Sequence, residues 1–579
     1  MIKTLLGCVR EYKKATLLTP FFVSLEVVVE CLLPMEIAAL INRIQSGCDM
    51  GTIVKYGLIL VLMAFVSLLF GVLSGNYCAE AGCGFAKNLR HDLYYKIQDF
   101  SFKNVDRFSS SSLVTRMTTD VNNLQMAYMM VTRVAVRCPF MLIFAFVMSV
   151  KLGGKLSLIF AVVIPLLGFA LFKIISVVRP IFVSVFRKYD KLNESVQENI
   201  KGMRVVKSFV REEYEKKKFN AAAKEVCDDF TRAEKLIALN TPFMQLAIYT
   251  IIIFISFFCS KLIISENGAV IKIGTLSGML VYSIQILISL MMVSMIFVMV
   301  TLSIEAANRV AEVLREESDI TNPSSPVMNV PNGQVEFENV SFRYEKSSGY
   351  ALENINLKIM TGQTIGIIGG TGSSKTTLVN LISRLYDVTK GRVLVGGHDV
   401  RDYDLETLRN AVSVVLQKNV LFSGTIKDNL RWGNPDATDT EIIAACRLAM
   451  ADEFIERMPD RYDTYIEQGG TNVSGGQKQR LCIARAILKR PKVLILDDST
   501  SAVDTRTDAL LKQAFRTAIP NTTKIIIAQR ISSVQDCDFI IVMDNGRIES
   551  FGTHEELLGK SMIYREVYES QVKGGSLNG

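Results

Sequence analysis

Histidine is scarce in this chain: its 579 residues hold three, His91, His398 and His554. None falls between residues 490 and 530, so no imidazole is at hand where the sequence gathers acidic and amide side chains. The eleven cysteines contain no CxxC pair, which removes the usual paired-thiolate motifs. Most, such as Cys31, Cys259 and Cys482, stand in apolar contexts and read as inert core residues. No basic stripe interleaved with aromatics is present, so the formal net charge of +8 does not describe a nucleic-acid face. Nor does a small-residue cleavage pattern follow the N-terminal segment Met1 to Thr19. With Lys3, Arg10, Lys13 and Lys14 set among Leu5, Leu6, Val9 and Tyr12, that segment reads as an amphipathic helix lying along an interface over residues 1–16.

The first half of the chain also has little polar surface to offer water. Six apolar stretches, at 17–42, 56–80, 133–152, 156–178, 238–264 and 273–300, approach or exceed the roughly 20 residues that cross a bilayer as helix. Basic residues concentrate in two long connections. The first, 81–132, carries Lys87, Arg90, Lys96, Lys103, Arg107 and Arg116; the second, 179–237, carries Lys188, Arg211, Lys216, Lys217 and Lys218. Since Lys and Arg are retained on the cytoplasmic side, both connections are expected there, together with the N-terminus and the C-terminal half. The positive balance thus reports topology.

Helical spacing continues past the second stretch into Asn88-Leu89-Arg90-His91-Asp92-Leu93. A helix from about 56 to 102, at 1.5 Å per residue, would be roughly 70 Å long, more than twice a bilayer core. The run from about 156 to 205 behaves alike, so both are expected to reach as levers into the cytosol. At their far ends, 106–113 and 208–215 read as short, differently oriented helices that could seat in a groove of the C-terminal half. Glu26, Glu30 and Glu36 fall in the first span, with Arg133 and Arg137 near the start of the third. Intramembrane carboxylates are candidates for a substrate pathway, though Glu26 and Glu30, one turn apart, could equally face a wet cavity or pair internally. Residues 312–333, with Asn322-Pro323-Ser324-Ser325-Pro326, read as a linker.

In the second half, Gln363 to Ile368 is a short apolar strand that leads into Gly369-Gly370-Thr371-Gly372-Ser373-Ser374-Lys375-Thr376, and Thr377 to Ile382 continues as helix. Strand, glycine-bearing loop and helix are the order a phosphate cradle requires. Backbone N–H groups and the helix N-terminus face the phosphates, Lys375 neutralises the β- and γ-oxygens of ATP, and the Thr376 hydroxyl ligates Mg2+. The second glycine of the usual pattern is replaced by Ser374. If that position needs positive φ, serine costs on the order of 1 kcal/mol, too little to abolish binding. Val493-Leu494-Ile495-Leu496-Asp497 reads as the buried strand whose acidic end lies beside the loop.

Between these two motifs lies Asn472-Val473-Ser474-Gly475-Gly476-Gln477-Lys478-Gln479-Arg480, followed by helical Leu481 to Leu488. Here the C-terminal half resembles the nucleotide-binding domain of an ATP-binding cassette (ABC) transporter. The whole chain resembles a half-transporter of the exporter type. The resemblance implies an α-helical membrane domain with six transmembrane helices and long cytosolic extensions, fused to an α/β P-loop NTPase domain. The boundaries expected are an elbow helix over 1–16, the membrane domain over 17–315, a linker over 316–333 and the nucleotide-binding domain over 334–579. It implies that Tyr344 stacks on adenine, that Gln417 touches Mg2+ and the attacking water, that Asp497 is the Mg2+-side carboxylate, and that Ser501-Ala502-Val503-Asp504 crosses a dimer interface. Glu467-Gln468-Gly469-Gly470 matches a segment that contacts the helical tips. In this family two cassettes close head to tail, and each ATP lies between the Gly369–Thr377 segment of one chain and the Ser474-Gly475-Gly476-Gln477 signature of the other.

Two positions depart from the family pattern. Asp498 stands where a glutamate would be the stronger base, and Gln529, in Ile525-Ile526-Ile527-Ala528-Gln529-Arg530, stands where related ATPases place a histidine. Aspartate is one methylene shorter, and a misplacement of roughly 1 Å can cost about a hundredfold in rate. Glutamine can hydrogen-bond a γ-phosphate but cannot become cationic. The chain is therefore expected to bind ATP well, hydrolyse it slowly in its own site, and pair in the plasma membrane with a different half-transporter that carries the catalytic glutamate and histidine. A slow homodimer, or a regulatory subunit that does not transport, are the alternatives. The substrate class stays open among drug-like amphiphiles, lipids and peptides, though no peptidase domain precedes the first span.

Overall fold

The computed structural model describes residues 1–265, 271–345, 347, 349–498 and 504–576. Ser501, Ala502 and Val503 of the expected interface-crossing loop lie outside the described residues. The chain divides into two compact units, Met1–Asp99 with Ser109–Glu316, and Phe100–Phe108 with Glu317–Gly579.

The first unit is helical, because a backbone in hydrocarbon must satisfy its own polar groups. Its long helices are α1 (Lys13–Gln45) and α2 (Met50–Gln98); α4 (Ala135–Gly153) and α5 (Leu158–Lys201) follow, then α6 (Glu212–Ala238), α7 (Asn240–Ser265) and α8 (Ile273–Arg315). At about 1.5 Å per residue, the 49 residues of α2 span roughly 70 Å. Its outer stretch exposes Leu58, Leu62, Phe65 and Leu69, whereas Ala81, Gly82, Phe85, Leu89 and Leu93 further along are buried. The first stretch suits lipid; the second is packed inside the unit.

Among the described residues, five helical runs are long and apolar enough to cross a membrane: Arg10–Gln45, Met50–Gln98, Ser110–Phe182, Glu212–Ser265 and Ile273–Arg315. The expected stretches 133–152 and 156–178 both fall in the third run, so five runs stand where the sequence suggests six. Between α4 and α5 the backbone breaks, with Gly154 at φ +53°. The Ser157 hydroxyl donates to the Ser149 carbonyl at 2.6 Å. In a continuous helix residues eight apart lie about 12 Å apart along the axis, so the chain doubles back at this point.

The N-terminal segment also differs from expectation. Its helix covers only Ile2–Gly7, and Arg10, at φ +41°, separates it from α1. Asn88 of α2 donates to the Cys8 carbonyl at 2.9 Å, and the Arg10 guanidinium donates to Asp92 at 2.7 Å, which ties this turn to α2. Near the expected second tip, a helix over Met203–Ser208 precedes α6, with Phe209 and Val210 exposed between them.

Close helix contacts use small residues, as is usual where lipid gives no drive for apolar association. A Cβ on Gly274 would lie 2.0 Å from the Ala38 carbonyl oxygen, so α8 and α1 meet backbone to backbone. The buried Tyr282 hydroxyl donates to the Cys31 carbonyl at 2.6 Å. Arg137 of α4 reaches two carboxylates of α1, Glu26 at 2.6 Å and Glu30 at 2.7 Å. Glu26 and Glu30 are thus paired internally, through Arg137.

The second unit begins with a helix lent by the first half of the chain, α3 (Phe102–Arg107). Ser101 caps it, accepting from the Asn104 N–H while the Asn104 side chain accepts from the Ser101 N–H. Tyr386 donates its hydroxyl to Asp106 at 2.6 Å, and its ring meets Phe102 edge-on. Lys103 lies 3.7 Å from both Asp319 and Glu345. The helix that belongs to this unit thus starts four positions before the expected 106–113; the serine run supplies a separate helix, Ser110–Thr115, of the first unit. The linker is not loose: Val327 bridges Tyr403, with its N–H donated to the Asp402 carbonyl at 2.8 Å.

Among the described residues two larger sheets follow. Strands β1 (Val335–Phe342), β2 (Leu352–Ile359), β4 (Lys390–Val395) and β5 (His398–Asp399) form an antiparallel sheet in the order β2-β1-β4-β5. A six-stranded sheet combines β3 (Thr364–Gly369), β6 (Val412–Val415), β7 (Val493–Asp497), β8 (Thr523–Ile527), β9 (Phe539–Asp544) and β10 (Arg547–Gly552) in the order β10-β9-β3-β8-β7-β6. Pairs β9–β3, β3–β8, β8–β7 and β7–β6 are parallel. These strands are near-continuous apolar runs, as both faces are covered.

Removing one partner of a buried ion pair costs about 3–5 kcal/mol, because it strands the other charge. Arg137→Met should therefore lower the thermal unfolding midpoint of the protein in lipid nanodiscs, and the triple variant E26Q/E30Q/R137M should recover most of the loss. Equal midpoints for wild type and Arg137→Met would show that the pair contributes nothing.

Candidate nucleotide site

Four adjacent parallel strands end on one edge of the large sheet, and each delivers part of the site at its carboxyl end, the usual location for ligands in such sheets. Strand β3 runs into the loop from Gly369 to Thr376, which opens α9 (Lys375–Ile382). Strand β8 leads through Ala528 to Gln529, β7 ends on Asp497 followed by Asp498, and β6 leads to Gln417. Register holds them level: Ile527 lies opposite both Asp497 and Ile367, and the Asp498 N–H is donated to the Ile527 carbonyl at 3.0 Å.

The loop is shaped by backbone geometry. A Cβ on Gly369 would lie 2.2 Å from the Met543 carbonyl oxygen, so only glycine lets β3 leave the sheet here. Gly372 has φ +86°, and a Cβ on it or on Gly370 would meet nothing within 4 Å, which leaves the space over the loop open. Ser374 caps α9 in the left-handed region, at φ 71° and ψ 26°. The Lys375 ammonium donates to the carbonyls of Gly369 at 2.9 Å and Gly370 at 2.8 Å and to the Ser373 hydroxyl at 3.2 Å.

Thr376 donates its hydroxyl to Asp497 Oδ2 at 2.8 Å. Burial pushes the Asp497 carboxyl above its ordinary range and the Asp498 charge adds to this, with the Thr376 bond opposing. Burial pushes the Lys375 ammonium the other way, below its ordinary value, against the attraction of Asp497 and Asp498. Each group is thus short of compensation for its lost hydration. Thr376 and Asp497 give hard oxygen donors, and among the described residues no cluster of three His, Cys, Asp or Glu could hold a metal ion. This donor set fits Mg2+, which takes one or two protein oxygens and completes its shell with phosphates and water.

Asp498 brings together groups far apart in sequence. Its Oδ2 accepts from the Gln529 amide at 2.9 Å and from the Gln417 amide at 3.4 Å. Tyr344 stands at the other end of the site, with its hydroxyl 3.0 Å from Thr377 Oγ1 and its ring edge-on to Phe342 and Tyr386. The Ser474-Gly475-Gly476-Gln477 signature lies elsewhere. Ser474 caps α10 (Gly475–Leu488), accepting from the Gln477 N–H while the Gln477 side chain accepts from the Ser474 N–H at 2.8 Å. No hydrogen bond among the described residues joins the signature to the phosphate loop. Sequence reading missed the convergence of both amides on Asp498 and the part of Tyr386, because side chains 31 and 81 residues apart leave no local pattern.

The family profile described as the ABC transporter transmembrane region matches residues 16–291, and that described as ABC transporter matches residues 352–501. The chain is 34% identical over 546 residues to the uncharacterized ABC transporter ATP-binding protein YfiB of Bacillus subtilis, covering 94% of each chain. It is 34% identical to the uncharacterized ABC transporter ATP-binding protein Mb1304c of Mycobacterium bovis, over 99% of this chain and 98% of the relative. To the putative multidrug export ATP-binding/permease protein YgaD of Bacillus subtilis it is 31% identical over 99% of each. A solved structure of a bacterial Atm1-family ABC exporter with ATP bound shares the fold, with TM-score 0.82 at 23% identity over 97% of this chain and 98% of that one. With both halves matched and relatives aligned end to end, the chain belongs to the ABC transporter family, as a multi-pass membrane half-transporter of exporter fold with its nucleotide-binding domain in the cytoplasm.

Proposed function

We propose that this chain is one half of a heterodimeric ATP-driven exporter of the plasma membrane, which moves an amphiphilic substrate, a drug, lipid or peptide, out of the cytoplasm. Its own phosphate-loop site binds ATP with Mg2+ and hydrolyses slowly. Asp498 carries this reading. A general base must reach the water it activates in line with the γ-phosphate. Here the carboxylate that fills this position is the shorter aspartate, and two amides, Gln529 and Gln417, converge on its Oδ2 and fix where it points. The short aspartate side chain and the uncharged Gln529 weaken the same chemical step.

Binding is a separate matter. Tyr344 faces the adenine, the N–H groups of Gly370 to Thr376 cradle the phosphates, and Lys375 leaves its loop carbonyls to neutralise them. Thr376, Asp497 and Gln417 hold Mg2+, which supplies charge neutralisation when bound. Ser474, Gly475, Gly476 and Gln477, at the N-terminus of α10, cover the phosphates of the site on the partner chain, where a glutamate and a histidine complete a competent centre. In the membrane unit, the break at Gly154 supports reading the third run as two crossings, hence six in all. The printed name of YgaD, a putative multidrug exporter, supports an amphiphilic substrate.

Purified alone, the chain should show little ATPase activity; co-expressed with a partner from a neighbouring reading frame, activity should appear and should survive Asp498→Ala. In a heterodimer whose partner has lost its catalytic glutamate, D498E/Q529H should raise residual turnover by at least tenfold, and D498E alone by less. Robust turnover by the chain alone, raised further by D498E, would favour a homodimer.

Left-handed backbone costs a non-glycine residue roughly 1–2 kcal/mol, partly offset by the entropy that glycine loses on folding. Ser374→Gly should therefore stabilise the protein by up to about 1 kcal/mol, read as a higher thermal unfolding midpoint, with ATP affinity kept.

A further inference from the structure

The chain's last described helix, α11 (Met562–Ser576), packs through Tyr564, which is fully buried and lies 2.7 Å from His554 Nδ1 through its hydroxyl. Val567 and Tyr568 lie against the same apolar cluster, which contains Ile531 and Val534. The helix is therefore anchored without help from its exposed face. On that face Gln571 spans the segment that follows β8. Its Oε1 accepts from the Ile531 N–H at 2.9 Å, and its Nε2 donates to the Gln529 carbonyl at 2.9 Å.

One primary amide thus makes both a donor and an acceptor contact across Arg530, in the manner of a neighbouring strand. Only an amide side chain of this length supplies both; a carboxylate could accept from Ile531 but would repel the Gln529 carbonyl. The residue so held, Gln529, is the one whose side chain lies 2.9 Å from Asp498 Oδ2. Gln529 and Arg530 are exposed between Ala528 and the buried Ile531; beside Gln571, the Arg530 carbonyl accepts from the Ser533 N–H at 3.1 Å, and the Gln529 carbonyl is reached by Gln571. A continuous line of hydrogen bonds connects the terminal helix with the carboxylate beside the phosphate loop.

We infer that Gln571 is a positioning residue: it sets the backbone of residues 529–531 so that the Gln529 amide stays on Asp498 and towards the γ-phosphate, and withdrawal of α11 releases both. This rests on the proposed reading of Gln529 as the residue that faces the γ-phosphate. The terminal helix then governs how long this chain's site retains ATP.

The test uses the full-length heterodimer in nanodiscs, with a partner that has lost its phosphate-loop lysine so that this chain's site alone binds tightly. Gln571→Ala and Gln571→Glu are compared with wild type by hydrogen–deuterium exchange over residues 528–535, by dissociation of radiolabelled ATP, and by thermal unfolding. Q571A should speed exchange at the Ile531 amide about fivefold, the worth of one lost hydrogen bond, while Q571E, which keeps the acceptor, should leave it protected. Both should hasten ATP release several-fold at an unchanged unfolding midpoint. Unchanged exchange and release in both variants would overturn the inference, as would a lower midpoint with release unaltered. If wild type itself releases ATP within one turnover, the slow-site reading falls; exchange at Ile531 and the kcat at unchanged KM for ATP then decide the role of Gln571 by themselves.

Discussion

The site depends on one constraint of the backbone: β6, β7, β8 and β3 are parallel neighbours in register, so the chain must leave all four at the same edge of the sheet. Antiparallel pairing would have sent alternate ends to opposite edges. Everything able to touch a triphosphate follows from that edge. The phosphate loop needs Gly369 because β3 leaves the sheet against the Met543 carbonyl of β9, and Asp497 meets Thr376 because β7 ends at the same edge two strands from β3, with β8 between them. The carboxylate, the two amides and the ammonium come from segments scattered over some 150 residues, yet need no long-range contact beyond the strand ladder to meet.

How much of this could be read beforehand depended on the range of each interaction. The strand, loop and helix around Lys375 and the apolar strand ending on Asp497 are local patterns, and both lie where the sequence placed them. The left-handed Ser374 was foreseeable too, since a phosphate loop expects glycine at that point. What could not be read was the use made of Asp498, because two amides meet it only after folding. The tip helix was placed too late in the chain for a similar reason: four serines draw the eye, whereas the capping pair Ser101 and Asn104 starts the helix that docks.

In the membrane unit, the hydropathy pattern separates stretches that helix length and composition alone merge into one run, Ser110–Phe182. The gap at 153–155 between the two expected stretches, with Gly153 and Gly154 flanked by Lys151 and Lys155, is where φ and the bond between Ser157 and Ser149 interrupt the helix. Arg137 reverses the usual reading of buried charge as well. Glu26 and Glu30 share one guanidinium from another helix, and so act as a joint between α1 and α4.

Helix α3 carries a further consequence. Residues 100–108 are continuous with the membrane unit on both sides, yet they fold within the nucleotide unit. The polypeptide therefore passes between the units three times, at 99/100, 108/109 and 316/317. A protease that cut the linker would sever only the last of these. Residues 100–108 would stay with the nucleotide unit through Phe102, Lys103 and Asp106, and remain covalently joined to the membrane unit at both ends. An insertion or a tag placed in the linker therefore alters one connection of three.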